Sequence, residues 1–114
     1  MCIRDRVKGV KRICTPGKGV VIPFMDGGTI YDRGLYKMMT AAADENKIPW
    51  QTKTMIAGGT DARTIQTTGT GARVVGLAAA VANIHTPAST ADIEDIRGMA
   101  ALAGIFLKKI GELD

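Results

Sequence analysis

Three short stretches hold the residue types that could do chemistry. They are "MDGGT" with Asp26, "GGTDA" with Asp61, and "NIHTP" with His85, the one histidine of the chain. An imidazole can move a proton or ligate a metal, and a carboxylate can do either as well. A metal site needs three or four donors, and these stretches supply one histidine and two acids. On residue type alone, His85 stays open between a ligand and a solvated loop histidine. Asp26 and Asp61 are equally readable as turn and cap residues. The glycines of "GGTDA" and "TGTGAR" could expose backbone N–H groups to a phosphate. Neither stretch fits a dinucleotide-binding or P-loop pattern.

The elements that must position these stretches follow from periodicity. Val20 to Met25 is an apolar run after a Gly-Lys-Gly turn, which reads as a buried strand. Pro23 inside it implies an edge or an irregularity. Asp32 can cap a helix from Arg33, whose Leu35, Met38, Met39 and Ala42 make one apolar face. Asn46 and Pro49 stop it. "PWQTKTMI", from Pro49, reads as a second strand. Thr60 or Asp61 can cap a short helix running to about Thr67. Ala72 to Val81 is continuously apolar, as in a strand buried on both faces. Asp92 caps a last helix, with Asp95 near its positive end and Lys108 and Lys109 near its negative end. Ile93, Ile96, Ala100, Ala103, Leu107 and Ile110 form the stripe expected to be buried.

This order, β-α-β-α-β-α, predicts an α/β fold: a partial, mostly parallel sheet with flanking helices. Sites in such sheets lie at the C-terminal strand ends. All three chemistry-bearing stretches follow strands there.

The 114 residues suffice for one modest core. Hydrophobic content is 46% and aromatic content only 4%, so the core must be aliphatic. The net charge of +4 sits entirely in the first twelve residues, and the rest of the chain is balanced. With no interleaved aromatics, this basic tail does not predict nucleic-acid binding. No apolar run reaches membrane-span length and no signal-peptide core is present, so the expected compartment is the cytoplasm. Cys2 and Cys14 make neither a disulfide framework nor a metal motif.

Residues 1–6, "MCIRDR", read as an in-frame translation of the transposase-type sequencing adapter ATGTGTATAAGAGACAG. The expected division is therefore an artefact over 1–6, an N-terminal remnant over 7–16 and a folded piece over 17–114.

Three segments carry a family resemblance: "GKGVVIPFMDGGTIYDRGL", "IPWQTKTMIAGGTDARTIQ" and "NIHTP". In order and spacing they resemble the C-terminal part of the tetrahedral, or glutamyl-type, aminopeptidases. These are di-metal peptidases, some of them labelled endoglucanase or cellulase M. The resemblance implies a metal-dependent aminopeptidase that removes N-terminal residues from short peptides, with two divalent ions, zinc or cobalt, and a homo-oligomeric full-length protein.

Residue by residue, it implies that His85 is a metal ligand. It makes Gly58, Gly59, Thr60 and Asp61 a substrate-binding turn, with capping as the alternative role for Thr60 or Asp61. The family's general base and other ligands lie upstream of this region, so no catalytic base is expected here and the chain alone is expected to be inactive. Two positions depart from the family. Ala82 and Asn83 stand where an arginine-containing pair is common, and Arg63 stands where glycine is common. The competing expectation is a non-catalytic α/β module that binds a small phosphorylated ligand through its glycine turns.

Overall fold

A computed structural model describes residues 14–53 and 58–112. Strand β1 (Val20–Val21) and strand β2 (Trp50–Gln51) pair in parallel, joined by helix α1 (Arg33–Glu45). Asp32 starts α1 as expected, its carboxylate accepting from the Leu35 N–H at 2.8 Å. Arg73 grips the same carboxylate through two nitrogens at 2.9 Å. Asn46 ends the helix by donating both its backbone and side-chain N–H to Ala42 O.

Strand β1 is sandwiched. Val20 and Ile22 join Leu35, Met39, Ala42, Ala43, Leu102 and Phe106 in the main core. Val21 points the other way, into a smaller cluster with Cys14 and Ala80. The ladder continues through Ile22, whose N–H donates to Gln51 O, and stops at Pro23, which has no N–H to give. The strand is thus shorter than the apolar run, and the chain turns into a hairpin in which Met25 pairs with Ile30. Gly19 makes the approach of the two strands possible. Its φ is +101°, and a Cβ there would lie 2.3 Å from Pro49 O. Of the expected second strand, the part beyond Lys53 lies outside the described residues.

Helix α2 (Ala62–Thr67) is short and buries none of its residues. Strands β3 (Val81–Ala82) and β4 (Thr90–Ala91) form a separate antiparallel pair. Helix α3 (Ile93–Gly111) closes the chain. It packs on α1 and β1, with a Lys109–Glu45 ion pair between the helices. The result is a mixed α/β arrangement with a small parallel sheet. None of its helices is long and apolar enough to cross a membrane, among the described residues.

Two sequence expectations are corrected. The stripe Ile93, Ile96, Ala100, Ala103, Leu107 and Ile110 faces largely into solvent rather than the core, with Ala103 half-buried; Leu107 is 68% exposed. Asp95, Leu102 and Phe106 are buried instead, with Met99 and Ile105 packed beside the core. Both faces of α3 are apolar enough to bury, and the position of α1 and β1 decides between them. Asp95 does more than complement the helix dipole: it accepts from the N–H groups of Gly17 at 2.8 Å and Gly19 at 2.9 Å, clamping the turn into β1. The second correction concerns Ala72 to Val81. Only Ala80 is fully buried, and residues 74–79 are half-buried. Val75 and Leu77 pack on the main core and Ala78 on the smaller one, while Ala78 exchanges two backbone hydrogen bonds with Val21 in antiparallel sense. The described residues provide no second layer over this segment.

Candidate functional site

The hairpin that follows β1 and the turn before α2 are zipped together. Asp26-Gly27-Gly28-Thr29 forms the hairpin tip, with the Asp26 N–H donating to Thr29 O at 2.9 Å. The Gly27 N–H then reaches across to Gly58 O at 2.8 Å. A Cβ on Gly27 would stand at 2.8 Å from that same oxygen, so only glycine permits the contact.

Below this bridge lies a buried relay. The Tyr31 hydroxyl donates to Asp26 Oδ2 at 2.8 Å and lies 3.3 Å from Thr60 Oγ1. Asp26 Oδ1 accepts from the Gly28 N–H at 2.8 Å. Burial alone would push the Asp26 carboxyl up. The hydrogen bonds from Gly28, Tyr31 and Thr29, with the charge of Lys53, outweigh burial and hold it below the usual carboxylate range. Burial pushes the Tyr31 phenol up; the Thr60 hydroxyl opposes this, and the bond to Asp26 adds to it. Tyr31 therefore stays a neutral donor, and the relay holds the "GGTD" turn in place from beneath.

Together these loops line a cleft of about 470 Å³ formed by Gly27, Gly28, Gly58, Gly59, Thr60, Asp61 and Arg63. All four expected turn residues, Gly58, Gly59, Thr60 and Asp61, meet in it. Gly58 has φ +70°, and nothing lies within 4 Å of where a Cβ would be on Gly58 or Gly59, so the floor of the cleft is open backbone. Asp61 occupies the cap position of α2 but makes no side-chain cap bond. Thr60 Oγ1 accepts from the Ala62 N–H at 3.3 Å instead, so capping and cleft-lining are combined in Thr60. Asp61 and Arg63 place opposite charges on the cleft wall.

His85 lies outside that lining. It is exposed, on a turn with two left-handed residues, Asn83 at φ +56° and His85 at φ +61°. Thr86 Oγ1 closes the turn by donating to Asn83 O at 2.6 Å. Left-handed backbone is uncommon outside glycine, with asparagine and histidine among the residues that tolerate it best. Among the described residues no three His, Cys, Asp or Glu side chains come together to hold a metal. His85 offers one donor, and this donor set does not by itself fit a metal ion.

Tyr31 and Arg63 are the site residues that sequence reasoning missed. Tyr31 was findable in principle, because a hairpin pairing Met25 with Ile30 makes residues 26 and 31 diagonal neighbours across the two strands. Arg63 carried only a charge in an otherwise uncharged helix.

Known proteins share this fold. The sequence profile of the M42 glutamyl aminopeptidases matches residues 1–102. A curated relative from Acetivibrio thermocellus with an aminopeptidase assignment is 30% identical over 86 residues, 75% of this chain and 26% of its own length. An aminopeptidase from the archaeon Desulfurococcus kamchatkensis superposes with a TM-score of 0.84 at 27% identity, covering 92% of this chain and 31% of its own. A TET peptidase of Pyrococcus horikoshii, which can assemble into a tetrahedron or a large octahedral shell, gives 0.71 at 27% identity, covering 91% of this chain and 29% of its own. The chain thus spans less than a third of the length of these relatives. With about nine-tenths of the chain superposed and residues 1–102 matched by the family's profile, the chain belongs to the M42 glutamyl aminopeptidase family.

Proposed function

We propose that this chain forms one wall of the active site of a metal-dependent aminopeptidase that removes N-terminal residues from short peptides. The observation that carries the reading is the cleft built on the glycine turn Gly58, Gly59, Thr60 and Asp61, in a member of a peptidase family. The bound ions, zinc or cobalt, would polarise the scissile carbonyl and activate water. This chain's own residues bind and orient. The open backbone of Gly58 and Gly59 admits an extended peptide, and the Asp26–Tyr31–Thr60 relay keeps that backbone still. His85 would supply one imidazole to the metal centre. The other donors and the general base come from outside the described residues. The protein acts as a homo-oligomer in the cytoplasm.

The phosphate-binding alternative has little to rest on, because the helix after the glycine turn has six residues and buries none of them. The test is hydrolysis of aminoacyl chromogenic substrates with added zinc or cobalt. The 114-residue chain alone shows no turnover, and a longer protein carrying the segment shows metal-dependent release of the N-terminal residue. Turnover by the short chain at about 1 per second or more, or metal-independent turnover by the long one, overturns the reading.

A further inference from the structure

The hairpin that lines the glycine cleft at its tip lines a second depression at its base. Phe24, Ile30, Tyr31, Arg33, Tyr36 and Lys37 enclose a groove of about 370 Å³. Its walls are mostly apolar, and they stand in water: Phe24 is 44% and Ile30 69% exposed. Tyr31 belongs to both places. Its ring lines the groove, and its hydroxyl holds Thr60 in the cleft. Gln66, on α2, donates from Nε2 to Ile30 O at 2.7 Å, fixing the groove against the helix that follows the cleft.

The groove has a cationic rim. Arg33 and Lys37 are one turn apart on α1, and no acidic side chain pairs with either among the described residues. The nearest acid in sequence, Asp32, is taken by Arg73. Local electrostatics oppose this placement, because like charges four residues apart repel and the first turn of a helix disfavours cations. An anion brought to the rim would relieve both. An apolar pocket edged by two unpaired cations complements a group that is apolar with a carboxylate attached.

We propose that this groove receives the carboxy-terminal residue of a short peptide, its apolar side chain against Phe24, Ile30 and Tyr36 and its free carboxylate on Arg33 and Lys37. The proposal rests on the aminopeptidase reading of the neighbouring cleft and adds a substrate class to it. The reach is suitable: Phe24 and Gly27 are three residues apart, at most about 10 Å of extended chain. A peptide of a few residues can place its amino end in the cleft and its carboxyl end in the groove. Selectivity then favours short free-acid peptides ending in an apolar residue.

Calorimetric titration of the chain with N-acetyl-Gly-Leu and with its carboxamide tests this, since a blocked amine cannot be an aminopeptidase substrate. The free acid binds at least tenfold more tightly than the carboxamide. The double variant R33Q/K37Q abolishes the difference, and Ile30→Ser weakens both ligands. In a longer protein with turnover, kcat/KM for Gly-Gly-Leu exceeds that for its carboxamide by a similar factor, and the same double variant removes the preference. Where circular dichroism shows the short chain unfolded, the kinetic ratio decides. Equal affinity for acid and amide, no binding by folded chain, or a preference untouched by R33Q/K37Q overturns the groove. Absent turnover with acid-selective binding intact would instead overturn the aminopeptidase reading and leave the groove standing.

Discussion

Helices α1 and α3 pack on each other, carry caps of the same chemistry, and differ in how far their sequences foretell their burial. In α1 one apolar face exists, and Leu35, Met39 and Ala42 are buried on it. In α3 two faces are apolar. The one with the more regular spacing, Ile93, Ile96, Ala100, Ala103, Leu107 and Ile110, lies largely in solvent, and the one with Leu102 and Phe106 lies in the core. A stripe shows that a helix can bury a face. The neighbouring elements determine which face it buries.

That contrast can be broken by mutation. Leu102→Ala removes a fully buried side chain from the α1–α3 seam, and is expected to cost about 2–5 kcal/mol, read as a lower urea midpoint. Asp95→Ala leaves the N–H groups of Gly17 and Gly19 without their acceptor, and is expected to cost about 1–3 kcal/mol in the same experiment. Asp92→Ala, which loses only a helix cap to Glu94, should cost about 1 kcal/mol. At the small end, Leu107→Ala falls within about 0.5 kcal/mol of wild type. Leu107→Lys lowers self-association in sedimentation, because it breaks an exposed apolar stripe. A loss from Leu107→Ala as large as that from Leu102→Ala would reverse the assignment of the two faces.

The relay beneath the cleft sharpens the comparison at low pH. The Asp26 carboxyl is held below its ordinary value in the folded chain. The stability it contributes is therefore fully present above the unfolded carboxylate range, about pH 4, and is lost as pH falls through the lower folded value. Tyr31→Phe removes one of the bonds holding Asp26 down, so the acid limb of a pH-dependent urea series becomes shallower. An unchanged acid limb in that variant would show that Tyr31 does not hold Asp26.

The parts of the molecule legible in its sequence are those fixed by neighbours along the chain. Asp32 and Asn46 bound α1 through contacts within four residues, and Asp92 starts α3 in the same way. The glycine turn at Gly58 was legible because its residue types are unusual together. The Gly27–Gly58 bridge and the Tyr31 contact with Thr60 join residues about thirty apart, and nothing local specifies them. The half-exposure of Val74 to Ala79 was hidden for a related reason: an apolar run shows what a segment can bury, and a covering layer has to be supplied by other parts of the fold.

The central claim, that this segment serves a metallopeptidase site through His85, is tested most directly by metal content. His85→Ala is made in the longer protein carrying this segment, and bound metal is counted by elemental analysis beside turnover. The account predicts loss of one metal equivalent and nearly all activity with the helical circular dichroism signal preserved, since even groups that merely support a ligand cost roughly 10–100-fold when removed. Full metal occupancy with wild-type turnover in the alanine variant would contradict it.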